Sequence, residues 1–146
     1  MTASADLFFR FGISLAIGFM IGLQREYAFR EKKRDLLAGE RTFALMALVG
    51  TLAAMIGDVF ESSFAFLGVL LLVGIFSAIA YFVDASRGHV GLTTEIAILI
   101  TVLIGALCYW NYLTLAAALG ITTTVLLSVK IETDRLVKAL TREDIF

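Results

Sequence analysis

Five apolar blocks, at 7–24, 42–57, 64–83, 93–110 and 112–129, constrain this chain more than any other feature of its sequence. A helix crosses the ~30 Å hydrocarbon core of a bilayer with about 20 apolar residues, range roughly 17–25. The first, third and fifth blocks meet that length unaided. The second meets it only by taking in Arg41 at one end and Asp58 to Phe60 at the other, and the fourth only with Glu95 inside the helix. Within hydrocarbon every backbone N–H and C=O must find its partner inside the protein, which for such blocks means α-helix. There is no proline, so only glycine is available to interrupt those helices. The predicted fold class is an all-α membrane protein, a bundle of five transmembrane helices over residues 1–129. At 60% hydrophobic and 17% charged, the chain is far from the ~45–50% and ~25% of soluble domains.

Residues 130–146 have a different character, with Thr133, Leu136, Val137 and Leu140 on one helical face and Asp134, Arg135, Lys138 and Arg142 elsewhere. This pattern predicts a short cytoplasmic amphipathic helix, either continuing the fifth span or lying along the inner membrane surface. It also suits a linker to a further domain.

Basic residues fix the orientation. The 22–42 stretch holds six Lys and Arg, the 84–92 loop one, and the tail four, against Arg10 alone on the other side. By the positive-inside rule the N-terminus is outside and the C-terminus inside, so any homo-oligomer is parallel. The first residues lack a basic n-region, and no small-residue cleavage site follows the first block. That block is therefore expected to be retained as a span. Localisation in a bacterial inner membrane is expected, with the lipid bilayer as the first partner. Other expected partners are a second copy in a parallel homodimer, and another membrane protein or a second multi-span domain. The net charge of −1 reflects segregation by topology and gives no reason to expect nucleic acid.

Small residues recur at four-residue steps. Ser14, Gly18 and Gly22 do so in the first block, Ala97, Thr101 and Gly105 in the fourth, and Ala116, Gly120, Thr124 and Ser128 in the fifth. Gly50 with Ala54, and Gly74 with Ala78, are shorter versions. Such strips let helix backbones approach closely where no hydrophobic drive between helices exists.

The polar residues worth singling out lie at the cytoplasmic ends of the blocks. Arg25 and Glu26 end the first; Glu40, Arg41 and Thr42 open the second; Asp84 closes the third; Thr93, Thr94 and Glu95 open the fourth. Topology brings these ends to one membrane face. Glu26 extends the Ser14–Gly18–Gly22 strip and is expected to face the bundle. Thr93 or Thr94 is expected to cap the fourth helix, with Glu95 in its first turn, where the dipole favours a carboxylate. Charge at a span edge is costly and usually faces a cavity or a partner. Arg25, Glu26, Arg41 and Glu95 are therefore expected to converge into one network. With Asp84 counted, two arginines, Arg25 and Arg41, among three carboxylates, Glu26, Asp84 and Glu95, are too neutralised for a dedicated magnesium cage, and the two arginines could equally hold a phosphate-like anion.

Motifs of soluble enzymes are absent: no Walker loop, GxGxxG, HExxH or GxSxG. One cysteine, Cys108, and one histidine, His89, exclude an intramolecular disulfide and any cysteine-based or poly-histidine metal site. No cofactor, no metal centre and no enzymatic activity are expected.

Three ordered motifs carry a family resemblance: Gly22-Leu23-Gln24-Arg25-Glu26, Ala38-Gly39-Glu40-Arg41-Thr42 and Gly91-Leu92-Thr93-Thr94. They resemble the MgtC/SapB family, whose pattern is roughly G-L-E-R-E, A-G-L-R-T and G-L-T-T across a five-span membrane domain. The match covers about residues 7–129. Gln24 stands where Glu is usual, and Glu40 where Leu or Ile is usual. The resemblance implies a regulatory role, because relatives with a soluble ACT-like domain are linked to survival in low magnesium and inside host cells. They look like modulators of other membrane proteins, including the F-type ATP synthase. The tail from Leu140 to Asp144 resembles the linker of relatives with a second multi-span domain. Two functions are thus expected: a non-enzymatic regulatory or interaction protein in magnesium homeostasis or stress, or a transporter or channel subunit for a small ion.

Overall fold

The computed structural model describes residues 3–31, 39–87 and 92–143. The described residues form five helices: α1 Ala3–Glu31, α2 Glu40–Val59, α3 Ser63–Ser86, α4 Thr93–Tyr109 and α5 Leu113–Glu143. Three of them, α1, α2 and α3, are long and apolar enough to cross a membrane; α4 and the apolar part of α5 are shorter. Both charged ends of the second block fall inside α2, and Glu95 falls in the first turn of α4.

Three helices make the centre. α1, α2 and α4 all touch one another, α3 packs on α2 and α4, and α5 packs on α1 and α4. Glycine sets the spacing. A Cβ on Gly18 would come within 2.6 Å of the Phe43 carbonyl oxygen, and one on Gly22 would run into the Glu40 backbone. A Cβ on Gly50 would collide with the Val102 carbonyl, and one on Gly105 with the Ala47 carbonyl. Two helix backbones thus lie against α2, and Ala47 meets both, its side chain toward Gly18 and its carbonyl toward Gly105. Around these contacts Ile21, Phe43, Ala47, Val102 and Ile104 are fully or almost fully buried. Gly120 faces a side chain rather than backbone: a Cβ there would come within 2.5 Å of Ile17 Cγ2 of α1.

A hydroxyl knot joins the three central helices. Thr51 Oγ1 lies 2.7 Å from Ser14 Oγ and 3.0 Å from the carbonyl oxygens of both Ala47 and Gly105. A hydroxyl has one proton. When Thr51 donates to a carbonyl, Ser14 can supply the proton that Thr51 Oγ1 accepts. Thr101 and Thr124 turn their hydroxyls back to the carbonyls of Ala97 and Gly120, four residues earlier.

The α2–α3 and α4–α5 connections close in the same way. Glu61 and Asn111 both have positive φ, 48° and 65°. Ser62 N–H donates to Gly57 O at 2.8 Å and Glu61 N–H to Asp58 O, while Tyr112 N–H donates to Leu107 O at 2.9 Å and Asn111 N–H to Cys108 O. These paired bonds around a left-handed residue are the Schellman pattern of helix ends.

One expectation is corrected, and one pair of alternatives is narrowed. Gly74 was assigned to a packing strip with Ala78, but a Cβ there would meet nothing within 4 Å and Ala78 is exposed. The reason is that α3 is peripheral, and turns Val73 and Ser77 toward the bundle instead. Of the two placements expected for the tail, continuation of the fifth helix is the one found: α5 runs unbroken from Leu113 to Glu143. With neither proline nor glycine after Gly120, no residue there forces the helix to stop.

Candidate functional site

Arg25 lies on the buried stripe of α1, three residues after Gly22 and seven after Gly18, so the helix period turns it inward. It is only 6% exposed. Its Nη2 donates to Thr94 Oγ1, and the Glu95 carboxylate lies within Coulombic reach of the guanidinium. A buried guanidinium needs such company, because removing a charge from water is costly unless it is paired and hydrogen-bonded. Glu95 is itself buried, and its Oε2 has no hydrogen-bond partner among the described residues. Gln24 Oε1, next to Arg25 in the chain, is in the same state. A neutral amide at position 24 avoids adding a further buried negative charge there.

The fourth helix supplies two of these groups because of how it begins. Its N-cap is Leu92, without a side-chain cap bond. The expectation that Thr93 or Thr94 caps α4 is therefore corrected: both lie inside the helix, and Thr94 gives its oxygen to Arg25. Thr93 is half-buried beside it.

Arg41 does not join the cluster. Its side chain is 92% exposed, and among the described residues it pairs with the carboxylate of its own neighbour, Glu40, at 3.8 Å. The cause is helical phase: Phe43 is the residue of that turn that enters the core, and Arg41 stands about 200° from it. Glu40 is held with its backbone against Gly22. Glu26, Thr42 and Asp84 are half-buried at the same end of the bundle. His89 lies outside the described residues. The structure thus brings Arg25, Thr94 and Glu95 together and leaves Arg41 facing out.

A second polar group, which sequence reasoning did not assemble, occupies the opposite end. Arg10 pairs with Asp6 at 2.5 Å and donates from Nη1 to the Tyr109 carbonyl at 2.7 Å. The Tyr109 hydroxyl is within hydrogen-bonding reach of Asp58. An open cleft of about 490 Å³ is lined by Asp6, Arg10, Asp58, Tyr109 and Trp110, together with Leu7. The Asp6–Arg10 spacing of four on a helix was a legible signal. Thr51 was also missed: it reads as one more residue of an apolar block, and only its position between Ser14 and Gly105 gives it a role.

Among the described residues no group of three or more His, Cys, Asp or Glu is placed to hold a metal ion. A model of the MgtC family matches residues 11–136 of the chain. No curated protein and no solved structure matches it.

Proposed function

The chain belongs to the MgtC family, and from that premise we propose that it is a bacterial inner-membrane interaction protein serving magnesium homeostasis without itself carrying the ion. Its Arg25–Thr94–Glu95 cluster is the contact site, presented on the cytoplasmic face. One observation carries this reading: beneath the cluster, α1, α2 and α4 are closed on one another backbone to backbone at Gly22, Gly18, Gly50 and Gly105. A conduit through a single copy would have to pass there. The flanking interior is Ile21, Phe43, Val102 and Ile104, and the Thr51 and Thr101 hydroxyls are within bonding distance of backbone carbonyls. An ion leaving water needs replacement ligands along its whole path, and this packing favours a partner-binding role for the polar end.

The test has two arms. Purified protein in liposomes holding a magnesium-sensitive dye is expected to give no flux above protein-free liposomes. In a strain lacking the protein, the wild-type chain and Arg41→Ala should restore growth in low magnesium, whereas Arg25→Ala and Glu95→Gln should not. Truncating Arg25 strands Glu95, at a cost of roughly 3–5 kcal/mol for a buried pair. Membrane yield is therefore measured beside growth, and Glu95→Gln keeps the side-chain shape. Saturable magnesium uptake abolished by Glu95→Gln would make the protein a transporter. Full rescue by well-expressed Arg25→Ala and Glu95→Gln would remove the cluster from function.

A further inference from the structure

The cleft at the Asp58 end of the bundle takes no part in the reading above, and its charges do not cancel. Arg10 is committed within it: Nη2 donates to Asp6 Oδ2 and Nη1 to the Tyr109 carbonyl oxygen. Asp6 and Arg10 therefore neutralise each other. Asp58 is exposed, makes no ion pair among the described residues, and has the Tyr109 hydroxyl within reach. One carboxylate is thus left over in a cleft of about 490 Å³, the size of a small-ligand site.

The backbone adds to that charge. α2 ends at Val59 and α4 at Tyr109, so two helix C-termini meet at this end of the molecule, and each favours a cation. The other walls narrow the choice of cation. Among the described residues no third carboxylate, histidine or cysteine joins Asp6 and Asp58. A divalent metal ion would face the Arg10 guanidinium with little to outweigh it. Trp110 instead supplies an aromatic ring, 41% exposed and held edge-on to Phe66 with ring centroids 5.4 Å apart. A carboxylate beside an aromatic ring suits an organic ammonium. With a single indole rather than a cage of rings, a primary ammonium is favoured over a quaternary one, because its N–H groups can donate to Asp58.

Depth selects the source of that ammonium. α2 has 20 residues, which at 1.5 Å per residue is about 30 Å and matches the hydrocarbon core of a bilayer. Asp58, its penultimate residue, then lies at the hydrocarbon boundary, at the level of the headgroups. Phe60, Phe64, Trp110 and Tyr112 are exposed around the same end, and Trp and Tyr gather at that level of a membrane. Arg10 also lines the cleft and uses two of its N–H donors in the bonds above, out of the five that a guanidinium carries. A headgroup phosphate brings an anion for the remaining donors that a free amine lacks.

We propose that this cleft binds the headgroup of an aminophospholipid, with its primary ammonium on Asp58 beside Trp110 and its phosphate toward Arg10. The proposal uses the insertion of the helices in a bilayer. It needs neither the direction of insertion nor any role of the Arg25 cluster.

Full-length protein in detergent, given phosphatidylethanolamine, phosphatidylcholine and phosphatidylglycerol in equal amounts, tests this by native mass spectrometry. The wild type should retain phosphatidylethanolamine at least about tenfold over either of the others, and Asp58→Asn should lose that preference. Asp58→Glu should keep part of it. Glu61→Gln removes an exposed acid of the adjacent turn that does not line the cleft, and should bind as the wild type does. Asp58 is exposed, so folded yield should not change. Free ethanolamine in large excess should not displace the lipid; displacement would assign the cleft to a soluble amine and overturn its assignment to lipid. Equal retention of the three lipids, or a preference that Asp58→Asn leaves intact, would overturn the proposal outright. None of these readouts involves magnesium or the Arg25 cluster, so failure here leaves the regulatory reading standing.

Discussion

At Gly50 and Gly105 a single hydrogen atom separates two helix backbones. A methyl at either position would collide with a carbonyl of the facing helix, Val102 on one side and Ala47 on the other. Backbone cannot swing aside as a side chain does, so α2 and α4 would have to separate and lose dispersion contacts along the whole interface. Gly50→Ala and Gly105→Ala should each destabilise by about 1–3 kcal/mol, the range for overpacking. Gly68→Ala and Gly74→Ala meet open space and should stabilise by up to about 1 kcal/mol through helix propensity. Unfolding midpoints in one detergent decide between the two pairs, and a common effect at all four would remove close packing as the cause. The glycine at 105 was legible in the sequence because it sat in a strip of small residues. The fate of Arg41 was not, because nearness to a span edge says nothing about the direction of a side chain. Arg25 and Arg41 are equally placed by hydropathy and differ only in phase, and phase is known once Phe43 and Gly22 are known to face inward.

On the scale of elements, α2 is the hub, and its two ends are built differently. Its N-terminal turn is fixed by the approach of Gly22 to Glu40; its C-terminal end is fixed by a Schellman turn through Glu61. The matching turn after α4 uses Asn111, which tolerates the left-handed region because its short polar side chain can bond locally. Glu61 has no such advantage at φ 48°, where a residue with a Cβ is strained by roughly 1–2 kcal/mol. Glu61→Gly should therefore raise stability, by up to about 1 kcal/mol after the entropy of a more flexible unfolded chain is counted. A higher midpoint of chemical unfolding in micelles is the expected reading; a lower one would mean that the Glu61 side chain makes a contact worth more than the strain. The helix count was legible because five apolar blocks cannot be satisfied otherwise. The peripheral place of α3 was not, since a block rich in Leu and Phe reads the same whether it faces lipid or other helices.

For the whole molecule, the arrangement of charge is what sets direction. Arg10, the basic residue at the Asp58 end, belongs to the fold: Asp6 holds it on one side and the Tyr109 carbonyl, at the negative end of the α4 dipole, on the other. At the opposite end Arg30 lies in the last turn of α1 and Arg87 just past α3, and the sequence that joins α1 to α2 holds Lys32, Lys33 and Arg34. The orientation proposed here rests on these basic residues, because the energy of keeping such groups on the cytoplasmic side does not depend on how the helices pack. Single cysteines in a Cys108→Ser background report it. Glu61→Cys, in an exposed turn, should react on intact cells with a thiol reagent that cannot cross the membrane. Lys33→Cys should react only after the cells are opened. The reverse pattern would invert the molecule, turn the Arg25–Thr94–Glu95 cluster outward and end its assignment as a cytoplasmic contact site. Labelling of both positions on intact cells would mean that copies insert in both directions.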